Sequence, residues 1–257
     1  MKYLKTTVED GIGIITIDHP PVNALSSAVF AELDSAVAGF QADPAVRAIV
    51  LTAEGAVFAA GADIREIADI ADAATGEQLS WAANEFTLKL DASPLPIVCA
   101  VNGPCLGGGM ELAMACHIRI ASDRARFAQP EVKIGIIPGM GGSQRLPRLV
   151  GRSQALEILL TGDMISAPQA KAVGLVNAVV PEAELRRAAV GLARKIAANS
   201  KAVVANILRA VRDGDGLPIA GALRIESKYF GDAMTTADKK EGVAAFMEKR
   251  QPKFTDA

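Results

Sequence analysis

Two regimes of apolar spacing divide this chain. Over the first 180 residues, short β-branched runs bounded by turn residues alternate with stretches of helical spacing. GIGIITID (11–18), VRAIVLT (46–52) and LPIVCAVNG (95–103) read as buried strands, and HIRIAS (117–122) and VNAVV (176–180) as further strands. Between the first two, Val29, Leu33, Val37 and Phe40 share one helical face behind a Ser26/Ser27 cap. Segments 76–91, 108–116 and 153–161 carry helical spacing. So does 166–173, with Ser166 near its cap, Pro168 in its first turn and Gly174 closing it. This alternation predicts an α/β core with parallel strand pairing. From Pro181 onward only helical periodicity remains, interrupted at DGDGLP (213–218). The expected organisation is a core over 1–195 that holds the active site and a helical oligomerisation region over 196–257. In that tail Ile207, Val211, Leu223 and Phe246 are expected to bury surface against the core and neighbouring chains.

Composition narrows the function classes. The 257 residues are 50% hydrophobic and 22% charged, as a globular chain with a large core requires. A net charge of −2 provides no general field for nucleic acid, and 4% aromatics provide few platforms for stacked bases. The three cysteines, Cys99, Cys105 and Cys116, form no CxxC pair, which argues against a disulfide framework or a zinc site and for a reducing compartment. The segment MKYLKTTVEDG lacks a signal-peptide core, and no apolar run approaches the roughly 20 residues of a membrane span. The expectation is a cytoplasmic protein with no membrane or nucleic-acid partner and no metal.

The chemistry concentrates at glycine-rich turns. Glu111 sits in LGGGMELAMAC (106–116), in the first turn of a helix, where a carboxylate also complements the helix dipole. Glu131 follows Pro130 in FAQPEVKIGIIPGMGG (127–142), read as a loop in which solvation is the default. The helix, strand and turn between the two glutamates can return the chain so that both carboxylates face one pocket. A glycine run at a helix start leaves N–H groups free for an anion or a thioester oxygen, the alternative being that Gly107–Gly109 serve close helix–strand packing, and FAAGAD (58–63) supplies another tight glycine turn after a strand. Two carboxylates beside bared N–H groups suit acid–base chemistry next to a developing oxyanion. Other schemes lack parts: GxSxG, HExxH, GxxxxGK[ST] and a strand-following GxGxxG are all absent. His19 and His117 read as structural, Cys105 as packing, and Lys133, Arg145, Arg148 and Arg152 mostly as surface charges. Arg65 stands out, because it falls on the helix that FAAGAD opens.

Taken together, HPPVNALS (19–26), FAAGADI (58–64), AVNGPCLGGGMELAMAC (100–116), FAQPEVKIGIIPGMGGSQRLPRLVG (127–151), LTGDMISAPQAKAVGLVNAVV (160–180) and EGVAAFMEKRQPKF (241–254) resemble the enoyl-CoA hydratase/isomerase, or crotonase, superfamily. Counterparts of both glutamates bring the chain nearest to short-chain enoyl-CoA hydratase. The resemblance implies a crotonase-like spiral of ββα units with a C-terminal helical trimerisation region, two trimers pairing into a homohexamer. It implies an acyl-CoA thioester substrate, with coenzyme A as part of that substrate and no separate cofactor. Glu111 and Glu131 become the catalytic pair, and the N–H groups of Ala62 and Gly108 the oxyanion hole. Ala60, Ala62, Asp63, Ile64, Arg65 and Gly108 become the CoA and substrate contacts, with Arg65 near the phosphates. Phe230 and Lys249 match C-terminal positions that reach a neighbouring subunit's site. Two features depart from the family pattern: His117 stands where Asp is usual, and the HPPVNALS turn is short. The activity implied is lyase chemistry, water added to a trans-2-enoyl-CoA as in fatty-acid β-oxidation. A double-bond isomerase, a hydratase for a specialised acyl group and a non-enzymatic binding protein on the same scaffold are the alternatives.

Overall fold

A computed structural model describes residues 1–256. In chain order the strands are β1 (Leu4–Glu9), β2 (Ile12–Ile17), β3 (Ala48–Ala53), β4 (Ile97–Val101), β5 (Pro104–Leu106), β6 (Ile118–Ser122), β7 (Arg126–Ala128), β8 (Ile165–Ser166) and β9 (Ala178–Val180). The helices are α1 (Ser27–Ala42), α2 (Ile64–Ala68), α3 (Ala73–Asp91), α4 (Gly108–Ala115), α5 (Gly142–Val150), α6 (Arg152–Thr161), α7 (Ala167–Ala172), α8 (Leu185–Ala197), α9 (Lys201–Gly214), α10 (Ile219–Met234) and α11 (Ala237–Met247). Short 3₁₀ helices cover Pro130–Ile134 and Glu182–Glu184.

A six-stranded sheet runs in the order β1-β2-β3-β4-β6-β9 and a three-stranded one in the order β5-β7-β8. Pairing in the large sheet is parallel from β2 to β9, as the β–helix alternation predicts; β1 alone pairs antiparallel, with β2. The hairpin that joins them turns on Asp10 and Gly11, both at positive φ, the conformation an Asp-Gly turn favours. Successive units repeat one path. β4 enters the large sheet, β5 the small one, and α4 follows; β6 and β7 repeat this and lead into the 3₁₀ helix at Pro130. Ahead of them, β3 is followed by a single bridge from Ala59 to Cys105 and then by α2, a shortened version of the same unit. This is the ββα spiral.

Both faces of the large sheet are covered, which is why β2, β3 and β4 read as almost uninterrupted apolar runs. One face packs Ile15, Ile17, Ile49, Leu51, Ile97 and Cys99 against Leu33 and Val37 of α1, Leu90 of α3 and Leu112 of α4. The other packs Ile12, Ile14, Val50 and Val98 against Leu185, Ala189, Val190 and Ala193 of α8. Removing α8 from the second face would expose a wholly apolar surface, at about 25 cal/mol per Å². The helix that covers this face, α8, ends at Ala197.

In the tail, α10 packs principally on α9. Ile207, Val211, Leu223 and Phe246 stay exposed, Phe246 by 85%. The expectation that they bury surface against the core is thus corrected: within one chain they face outward. The C-terminal segment is nevertheless tied down. Asp238 accepts the backbone N–H groups of Thr255 (2.7 Å) and Asp256 (3.1 Å), and Asp256 pairs with Arg47 and caps the Lys201 N–H (2.7 Å).

Candidate active site

All eight residues of α4 are buried, and Glu111 is its only ionisable side chain. A carboxylate taken into such a place needs donors. Oε1 of Glu111 finds two, the backbone N–H groups of Met140 (2.8 Å) and Gly142 (2.7 Å). With 3% exposure, desolvation dominates and raises its pKa from 4.5 to about 7; the Gly142 N–H opposes this and the Glu131 charge adds to it. Dipole complementation alone does not describe this side chain, because its donors come from the 139–142 loop rather than from its own helix.

Glu131 lies in the 3₁₀ helix rather than in an open loop, and it is 9% exposed rather than solvated. Pro130 opens that turn and Gly135, at positive φ, ends it. Burial raises the pKa of Glu131, and no protein group donates to its buried Oε2. The link between the two glutamates is Gly107. Its φ of 49° and ψ of −124° suit glycine, and a Cβ there would stand 2.7 Å from Glu131 Oε1. The Gly107 carbonyl accepts the Glu111 N–H (3.0 Å) and the Nε2 of Gln129 (3.2 Å), and its own N–H donates to Ala128 (2.9 Å).

The glycine turn at 58–63 approaches α4 closely. A Cβ on Gly109 would meet the Ala59 carbonyl at 2.4 Å, so only a bare Cα lets α4 come this near. The approach sets the Ala62 nitrogen 3.2 Å from where a Gly108 Cβ would be. Leu25 bonds to Gly61 and Asp63 on either side of Ala62, and Gly108 opens α4 as an uncommitted first-turn donor. Among the described residues, neither the Ala62 nor the Gly108 N–H donates a hydrogen bond.

The other sequence-predicted residues fall into two groups. Ala60, Ala62, Asp63, Ile64 and Arg65 form one turn beside α4, but they differ in what they offer. The Ala60 N–H is committed to Val22 (3.0 Å), and Ile64 is exposed. Asp63 caps α2 through the Arg65 N–H (3.0 Å) and pairs with the Arg65 guanidinium at 2.6 Å, which lowers the Asp63 pKa to about 2. The Arg65 side chain is 82% exposed. Phe230 and Lys249 are not hydrogen-bonded to any of these residues within one chain. Phe230 is exposed on α10, and Lys249 adopts the left-handed conformation just past α11, its N–H on Phe246 (3.2 Å).

Several site residues lie outside the sequence reading. Gln129 is fully buried, with its Oε1 unpartnered. Arg145, read as a surface charge, is instead half-buried and donates to Thr87 (3.1 Å) and to the Met140 carbonyl (3.3 Å). A polar run beside a glycine loop, GMGGSQR, was the available signal. His19 Nδ1 bonds the Ala24 carbonyl (2.8 Å) and His117 Nδ1 accepts from Ile97 (3.0 Å), both structural; the three cysteines are free and buried. Among the described residues, no three His, Cys, Asp or Glu side chains gather as a metal site, and no helix is long and apolar enough to cross a membrane.

Comparison with known proteins agrees with this architecture. The family model described as Enoyl-CoA hydratase/isomerase matches residues 7–257. A probable enoyl-CoA hydratase of Bacillus subtilis is 40% identical over 255 residues, 99% of each chain. The mitochondrial enoyl-CoA hydratase of Pongo abelii is 43% identical over 248 residues, 95% of this chain and 84% of that one. The crystal structure of an enoyl-CoA hydratase from Bacillus anthracis superposes with a TM-score of 0.94 at 33% identity, covering 99% of this chain and 100% of that one. Similarity on this scale, over the whole ββα spiral and its helical tail, means that the chain belongs to the enoyl-CoA hydratase/isomerase family.

Proposed function

We propose that this protein adds water across the double bond of a trans-2-enoyl-CoA to give a 3-hydroxyacyl-CoA. One observation carries the reading: two buried carboxylates with different partners are gathered around two uncommitted backbone N–H groups. Relatives named as enoyl-CoA hydratases support it.

The thioester oxygen accepts hydrogen bonds from the Ala62 and Gly108 N–H groups, which stabilise the enolate charge as it develops. Glu111, oriented by Met140 and Gly142, accepts a proton from water as the hydroxyl oxygen bonds to Cβ. Glu131 delivers a proton to Cα, and the proton gained by Glu111 then passes to Glu131 through the next water to enter, which returns the pair to its starting state. The carboxyls titrate as a coupled pair, and burial of both favours one shared proton over two charges. Coenzyme A enters as part of the substrate, along the Ala60–Arg65 turn, and the chemistry uses only carboxylates and N–H groups.

The exposed apolar positions on α9, α10 and α11 fit burial against further copies of this chain, assembled as trimers paired into a hexamer. Such an assembly carries Phe230 and Lys249 to a neighbour's site. The test is loss of conjugated enoyl-thioester absorbance with crotonyl-, decenoyl- and branched enoyl-CoA. Hydration of at least one is expected. Conversion of a 3-enoyl-CoA with no hydration of any 2-enoyl-CoA would replace this reading with isomerisation.

A further inference from the structure

The two N–H groups that hold Glu111 belong to peptide units whose carbonyls are themselves held. The Gly139 carbonyl, in the peptide that contributes the Met140 N–H, accepts Ser80 Oγ at 2.6 Å and Asn84 Nδ2 at 2.9 Å. The Gly141 carbonyl, in the peptide that contributes the Gly142 N–H, accepts the N–H groups of Arg145 (2.7 Å) and Gln144 (3.0 Å). The second arrangement is an ordinary helix start. The first is not, because both donors are side chains reaching across from α3.

Ser80, Asn84 and Thr87 lie on one face of α3, a turn apart from one another. Asn84 Nδ2 also reaches the Ser80 carbonyl (3.0 Å), which orients its amide. Thr87, fully buried, donates to the Asn84 carbonyl (2.9 Å) and accepts from Arg145, which in turn grips the Met140 carbonyl. Only Thr87 of the three is buried; Ser80 and Asn84 sit where the core meets solvent, and the seam they form ends on the loop that holds the carboxylate. Hydrogen bonds in series polarise one another, so donors on the Gly139 carbonyl strengthen the Met140 N–H as a donor.

We infer that Ser80 and Asn84 are positioning residues for Glu111, acting through the Gly139–Met140 peptide to favour its ionised form. The inference deepens the hydratase reading and rests on it for its catalytic consequence, but not for its effect on the carboxyl. The charged groups facing Glu111 are Glu131 from the 3₁₀ helix and Arg145 from α5; Asp91 and Arg148 act on Arg145 in turn. None of these is altered by changing Ser80 or Asn84.

The test uses full-length Ser80→Ala, Asn84→Ala, the double variant, and Ser80→Thr, which keeps the hydroxyl. Infrared difference titration reads the carboxylic-acid stretch of Glu111, identified by its absence in Glu111→Gln. Removing both donors is expected to raise the midpoint by about half a pH unit, a fraction of the shift one lost hydrogen bond can produce. The acid limb of the kcat–pH profile should move upward with it, with kcat about threefold lower below the limb and nearly unchanged above it. Ser80→Thr should behave as the parent does. If the double variant fails to fold, Asn84→Ala alone is read the same way, with a smaller upward shift. An unmoved Glu111 midpoint overturns the inference, even if stability or kcat falls, because the seam then only docks α3. A moved midpoint in a protein that hydrates no enoyl-CoA leaves the inference standing and sinks the hydratase reading instead.

Discussion

Glu111→Gln should make the folded protein more stable at neutral and alkaline pH while making it inactive. In the folded state this carboxyl binds its proton up to about pH 7, whereas an ordinary glutamate releases it at 4.5. Between those values the native state holds more protons than the unfolded chain, so stability falls as pH rises. The full gap corresponds to roughly 3 kcal/mol, reached above pH 7. Glutamine keeps the oxygen that accepts from Met140 and Gly142 and abolishes the titration. The variant should therefore gain about 2–3 kcal/mol at pH 8, less whatever its NH₂ group loses by burial, and nothing below pH 4. For a chain of this size, that gain corresponds to a Tm rise of about 4–10 °C. The assay is thermal or urea unfolding from pH 4 to 8, at fixed protein concentration because assembly also contributes. A Tm difference that does not grow between pH 5 and 8, or that has the opposite sign, would refute the claim that Glu111 is held against its own ionisation.

Further outcomes test the rest of the site and the tail. Gly108→Ala would place a methyl 3.2 Å from the Ala62 nitrogen, in the space the proposed reading gives to the thioester oxygen; kcat should fall about 10²-fold or more. At position 62, Pro removes the donor and should cost about as much, while Ser keeps it and should be mild; equal damage from both would point to packing. Gly107→Ala should displace Glu131, whose Oε1 would lie 2.7 Å from the new Cβ, and should lower both activity and stability; a fully active variant would show that Glu131 has room to spare. Lys249→Ala should raise KM more than it lowers kcat, an effect that shrinks at high salt, and a chain ending after Asn199, which keeps α8, should be inactive and prone to aggregate; a soluble, active monomer from that chain would remove both the assembly and the tail from the reaction.

Legibility followed burial. β2, β3 and β4 are covered on both faces, so their apolar runs stood out. β1 did not, because as an edge strand it buries only Leu4, although Asp10–Gly11 offered a turn signal. β5, β7 and β8 are two or three residues long, too short to show a period. α5 was hidden by its opening glycines and by Pro147 inside it. The role of α8 as the cover of the second sheet face was hidden as well, since helical spacing does not say which surface a helix meets. Glu111 and Glu131 were legible as candidates through the family motifs, but their burial was not. It depends on Met140, Gly142 and Gly107 arriving from other elements. Gln129 and the Ser80–Asn84 seam were illegible for the same reason, and Arg145 had only the polar run GMGGSQR to mark it: a polar residue reads as surface until its partners are known.

The central claim is that two carboxylates work on one water, and a kinetic cycle on Glu111→Gln, Glu131→Gln and the double variant tests it most directly. Turnover of crotonyl-CoA would be followed by loss of enoyl-thioester absorbance. Each single change should lower kcat by about 10²–10⁴-fold, and the double variant should lose far less than the product of the two, as groups acting as a unit do. Near-normal turnover in either single variant, or fully multiplicative losses in the double, would contradict the account.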